Sequence, residues 1–72
     1  MDTTYLRPRD MIAWSAVTIL YPSGTCETAH FVQVDDGFFI FARENASMFQ
    51  LRWGCGVWFT DPDCQTVEVV AR

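Results

Sequence analysis

The chain contains no lysine: its five basic residues are all arginine, set against nine aspartates and glutamates, for a formal charge of −4 over 72 residues. Binding that tracks a phosphate backbone draws its affinity from Lys and Arg releasing counterions. The acidic balance therefore argues against a nonspecific nucleic-acid binder and suits a partner that is itself basic. Histidine occurs once, as His30, and cysteine three times, as Cys26, Cys55 and Cys64, with no CxxC pair. An odd, scattered set of thiols is the usage of a reducing compartment, so a cytoplasmic location is expected, with one disulfide open only to an exported chain. No apolar run nears the length of a membrane span, and Met1-Asp2-Thr3-Thr4 is polar and acidic where a secretory signal would be basic and then apolar. No membrane association is expected.

The same scarcity limits the chemistry. Cys26 and His30 stand four apart, a spacing that shares a metal on a helix. On a strand, four residues span about 13 Å, too far for one zinc, and Cys55 and Cys64 complete no zinc-finger pattern. A cysteine nucleophile with His30 as base would need an orienting Asp or Asn and an anion hole, and the scattered carboxylates supply no such constellation. The expectation is a non-enzymatic domain with no catalytic residue, no metal and no cofactor.

What the chain has in quantity is aromatic and apolar surface. Half the residues are hydrophobic and eleven are aromatic: six Phe, three Trp and two Tyr. A domain this small buries only about 60% of the surface its unfolded chain exposes, so its core must be dense, and self-association into a homo-oligomer is one way to supplement it.

The organising stretch is residues 31–41, FVQVDDGFFIF, in which two apolar runs are joined by Asp35-Asp36-Gly37. Gly takes a positive φ at no steric cost and Asp tolerates one, so this is a β-hairpin. Two registers are open. A two-residue Asp36-Gly37 loop of type I′ sets Val34 opposite Phe39 and Val32 opposite Phe41. A three-residue loop sets Val34 opposite Phe38 and Val32 opposite Ile40, and the slip turns one strand over relative to the other.

Around the hairpin, residues 1–10 read as a polar N-terminal arm onto which Tyr5 and Leu6 could fold back, and residues 11–72 as a single β-rich domain. A strand is expected at about 13–21, since Val17, Ile19 and Tyr21 alternate with Thr18 and Leu20. The competing reading is a helix at about 10–20 capped by Asp10. Further strands are expected at about 25–34, 38–44, 48–53, 57–60 and 65–71. They are separated by Pro22-Ser23-Gly24, by Asn45-Ala46-Ser47, by Gly54-Cys55-Gly56 and by a type I turn at Asp61-Pro62-Asp63-Cys64. Such short loops cannot make parallel crossovers. The fold expected is all-β: an antiparallel meander of five to six short strands forming a strongly twisted sheet or small barrel, with an α+β domain carrying the N-terminal helix as the alternative.

Residues 36–41, DGFFIF, resemble the aromatic RNA-binding strand of cold-shock barrels, in which exposed aromatics stack on bases. Asp36 replaces the basic residue before the glycine and Phe39 replaces the second glycine, so nucleic acid ranks below protein as a partner. In size and composition the chain is similar to small phage-encoded inhibitors, anti-CRISPR proteins among them, a viral profile without a shared motif. The function expected is that of a protein-binding inhibitor or antagonist, with a nucleic-acid-binding barrel and a structural subunit of a larger assembly as alternatives. The hairpin carries more apolar side chains than one face of a small domain buries, which places the interface near the hairpin and the Trp58 strand. Its expected residues are the aromatics Phe39, Phe41 and Trp58 with the carboxylates Asp35, Asp36 and Glu44.

Overall fold

Six strands follow one another through loops of two to five residues, and the computed structural model, which describes residues 4–72, closes them into a barrel. They are β1 (Ala16–Leu20), β2 (Cys26–Asp35), β3 (Phe38–Arg43), β4 (Met48–Gly54), β5 (Val57–Thr60) and β6 (Thr66–Ala71). Each pairs antiparallel with the next. β1 closes on β6 from Val17 opposite Ala71 to Leu20 opposite Glu68, so the all-β meander ends as a barrel. No helix forms at 10–20: the alternation there wins, with Val17 and Ile19 fully buried and Thr18 between them facing out, and only a 3-10 turn, Pro8–Asp10, precedes the strand. No helix is long and apolar enough to cross a membrane among the described residues.

The hairpin takes the two-residue loop. Asp36 (φ 51°) and Gly37 (φ 83°) both lie in the left-handed region that a type I′ turn requires, and Asp35 faces Phe38 while Val34 faces Phe39. Val32 does not face Phe41, because a bulge between Phe31 and Gln33 brings Phe31 opposite Phe41 instead. The bulge decides which face of β2 enters the barrel. An unbroken ladder would have pointed Val32, His30 and Thr28 inward with Val34; the extra residue substitutes Phe31 and Ala29, both buried, and leaves His30 on the outer side. A β-branched residue resists positive φ, and a Cβ at Gly37 would meet nothing within 4 Å. Gly37→Val is therefore expected to cost more than about 1 kcal/mol through the backbone alone, measured by urea unfolding; an unchanged midpoint would remove the turn from its place as the anchor of the fold.

Cys55 (φ 53°) and Gly56 (φ 80°) repeat the two-residue design between β4 and β5. The Asp61 loop departs from the expected type I turn: Cys64 N–H donates to Thr60 O at 2.9 Å rather than to Asp61, giving a wider reversal that contains a cis Asp61–Pro62 bond. Thr60 Oγ1 supports it by accepting from Gln65 N–H at 3.0 Å.

Inside the barrel the large side chains form one aromatic mass. Phe39 meets Trp58 edge-on at 4.9 Å between ring centroids, Trp53 meets Trp58 at 5.1 Å, and Phe41 lies 5.6 Å from Phe31 and 5.4 Å from Phe49. Val17, Ile19, Leu51, Val67 and Val69 fill the remaining space.

The arm reads as loose from its sequence, but its described part, residues 4–10, is docked; residues 1–3 lie outside the described residues. The reason is the brevity of β5, which pairs with β6 only at Trp58–Val67 and Phe59–Thr66. Beyond Val67 the arm takes over that edge: Tyr5 bridges Val70, Leu6 N–H donates to Val69 O and Ala71 N–H donates to Thr4 O, at 2.8 and 2.9 Å. Trp58 Nε1–H then bonds Leu6 O at 2.8 Å, while Leu6 and Met11 pack against the core.

Candidate functional site

The parity of the strands sorts the expected interface residues. Phe41 is 0% exposed and Trp58 2% exposed, so both are core, and Phe39 is half-buried beside Trp58 in the barrel. None of the three is an exposed anchor. Their sequence neighbours are the outward groups: on β3, Phe38 and Ile40 alternate with Phe39 and Phe41, and on β5, Phe59 follows Trp58. Asp35 and Asp36 are exposed at the hairpin tip, as an interface role requires. Glu44 is exposed too, but it follows the far end of β3, roughly 20 Å along the strand from Asp36. One compact site therefore holds Asp35 and Asp36 and leaves Glu44 out.

Between Phe38 and Phe59, on the middle strand β4, stands Arg52. Its guanidinium carbon lies 5.4 Å from the Phe38 ring centroid and 5.7 Å from that of Phe59, a cation between two aromatic faces. No carboxylate stands within ion-pairing distance of it among the described residues. The register explains the row. Arg52 pairs with Phe59, and Phe39 opposite Leu51 places Phe38 beside Arg52, so β3, β4 and β5 each contribute one side chain to a ridge across the outer surface. Toward the Met48 end of β4, and bordered by none of the three ridge residues, is a hollow of about 440 Å³ lined by Ile40, Met48, Gln50 and Asp61 together with Tyr21, Arg43, Phe49 and Thr60. Gln50 Nε2–H donates to Asp61 Oδ2 at 2.9 Å and fixes one wall. The alternation of Met48, Gln50 and Arg52 against Phe49, Leu51 and Trp53 carries the signal for this face; Phe38 and Phe59 follow once Arg52 is known to point outward.

The inner wall of this hollow is a polar group of inward-facing residues. Arg43 Nε–H donates to Glu27 Oε1 at 3.0 Å, and the Arg43 guanidinium sits 4.3 Å from the Phe49 ring centroid. Tyr21 stands against this pair. Burial, and then the nearby Glu27 carboxylate, hold its phenol above the ordinary tyrosine range, with Arg43 pulling the other way. A phenol whose pKa is raised on folding favours the unfolded chain once that chain ionises. Stability from this source is complete below pH 10 and falls as pH rises through 10 and beyond. Tyr21→Phe is expected to flatten part of the alkaline limb of a stability–pH curve, and superimposable limbs would deny Tyr21 that role.

Cys26 and His30 both lie on β2, and the three cysteines are exposed and unpaired. No group of three His, Cys, Asp or Glu side chains comes together among the described residues. Comparison with protein-family models, with curated proteins and with solved structures finds no match to this chain.

Proposed function

We propose that the chain is a non-enzymatic protein-binding domain that acts by covering a surface of its partner, and that the β3–β4–β5 outer face is what it binds with. The observation that carries this reading is the Phe38–Arg52–Phe59 ridge. Aromatic residues and Arg are the types that dominate interface energetics, and here they stand together on a rigid sheet. Asp35 and Asp36 at one margin and Asp61 at the hollow add negative charge around this centre, within a chain of net charge −4. That distribution suits a basic partner surface and would act mainly on association rate and selectivity. An inhibitor of the phage-encoded kind, anti-CRISPR proteins included, is the form of this reading that size and composition favour, and a cytoplasmic partner follows from the reduced thiols.

The same ridge resembles a base-stacking platform, which keeps a nucleic-acid-binding barrel as the second reading. Asp35 faces Phe38 across the hairpin, and a carboxylate beside the stacking ring repels phosphate. The test is a pull-down from the native host followed by titration of the captured protein. Arg52→Ala is expected to weaken binding by at least about 2 kcal/mol while the domain stays folded and loses about 1 kcal/mol or less of stability. Asp36→Arg should weaken it more at low salt than at high salt. Wild-type affinity in both variants would remove this face from the function, and a salt-dependent shift with single-stranded RNA or DNA in place of a protein partner would install the second reading.

A further inference from the structure

The arm and the turn that joins it to β1 have properties that the binding face does not explain. Trp14 has φ 67°, a left-handed conformation that a bulky aromatic adopts only at a cost. The other non-glycine residues at positive φ, Asp36, Ala46, Cys55 and Cys64, all sit in loops between paired strands. Trp14 instead lies in a tight turn over residues 12–15, closed by Ser15 N–H and Ser15 Oγ–H, both donating to Ile12 O at 3.0 and 2.6 Å, and held to β2 by Trp14 N–H donating to Phe31 O at 2.6 Å and Phe31 N–H donating to Ser15 O at 3.1 Å. The turn also leaves its two large apolar side chains outside, with Ile12 68% and Trp14 65% exposed. Everything on its N-terminal side is held by separable contacts: the short ladder from residues 4–6 to β6, the Trp58 indole bond to Leu6 O, and the packing of Leu6 and Met11. A groove of about 690 Å³ runs along this seam, bordered by Tyr5, Leu6, Trp53, Trp58 and Val69, so one side of the arm is open.

We infer that the arm exchanges between two copies of the chain. Residues 4–11 of each copy seat on the β6 edge and barrel mouth of the other, and residues 12–15 open from a turn into an extended hinge. The occupant is defined by the molecule itself, since the segment that fits the β6 edge within one chain fits the same edge of a second with identical hydrogen bonds. Exchange gains what the closed form lacks. Extending the hinge gives up the Trp14 N–H to Phe31 O bond but releases the positive φ of Trp14, the kind of strain in a short hinge that favours swapping, and two hinges passing each other give Ile12 and Trp14 a neighbouring apolar surface. The resulting interface is isologous, as a two-fold dimer requires.

The full-length chain is refolded from denaturant at low and at high protein concentration and examined by sedimentation velocity. A dimer whose yield rises with refolding concentration, and which survives dilution for longer than mixing time, is the expected result. Its arrangement is read with two variants in a background carrying Cys26→Ser, Cys55→Ser and Cys64→Ser. One chain has Tyr5→Cys and the other Val70→Cys, the two residues that bridge within one chain. Co-refolding should give a disulfide-linked heterodimer. Trp14→Gly, which accepts the positive φ without strain, should raise the dimer dissociation constant by about tenfold or more. A chain that stays monomeric at every refolding concentration overturns the inference, and so does a dimer in which the two introduced thiols form no disulfide, because it would use another surface. Should the cysteine variants fail to fold, Trp14→Gly decides: a wild-type dimer whose dissociation constant that variant leaves unchanged does not use this hinge and overturns the inference.

Discussion

Phe41→Ala is expected to leave the chain largely unfolded at 25 °C. The ring is fully buried, contacts Phe31, Phe49 and Trp58, and occupies the middle of the barrel, where neighbours on every strand are too large to collapse into the space it leaves. Truncation of a buried Phe costs about 3–5 kcal/mol, and a core of this size rarely supplies more than about 3–5 kcal/mol in total. Loss of one ring is therefore comparable with the whole stability. The comparison that makes the experiment specific is Phe38→Ala, three positions earlier on the same strand. Phe38 faces outward under Arg52, and its removal forfeits a cation–π contact and partial burial, a loss of about 1 kcal/mol or less. Urea and thermal melts of the pair should differ by several-fold in lost free energy. Equal losses would mean that β3 presents its faces the other way.

That contrast also marks where the sequence stops being legible. Strand positions follow from alternation and turn chemistry: residues 57–60 form β5 as expected, and Asp36-Gly37 forms the two-residue turn. Facing is different. FFIF is apolar at four successive positions, so its own pattern cannot assign an inner side, and β2 is broken by a bulge at Val32 that no residue there announces. Phe41 and Trp58 consequently read as surface anchors when they are core, with Phe39 half-buried against them, and Phe38 and Phe59 take the outer places. The strand able to settle the matter is β4, where the charged residue Arg52 and the apolar Leu51 alternate cleanly and their pairing partners carry the parity to both neighbours. The docking of the arm is illegible for another reason. It depends on β5 ending early and exposing the β6 edge, a property of the closed barrel and not of residues 4–10.

Trp58→Ala should cost about 3–5 kcal/mol, as for other buried tryptophans, and its second effect separates Trp58 from every other core residue. The indole joins the interior to the arm: its ring packs against Phe39, Phe41 and Trp53, while its N–H is the donor to Leu6 O. Trp58→Phe keeps an aromatic ring in the barrel and removes the donor together with one ring of the indole. It should remain folded and lose about 2 kcal/mol, about 1 kcal/mol for the hydrogen bond and the rest for the space the smaller ring leaves. The arm should register the change more sharply than the barrel. Hydrogen exchange is expected to quicken at Leu6 N–H and Ala71 N–H, which hold the arm to β6, while amides of β3 and β4 keep their protection. If Trp58→Phe exchanges at Leu6 and Ala71 as slowly as the wild type, the backbone ladder suffices to hold the arm. Loss of the donor without loosening of the seam would then assign Trp58 to packing alone.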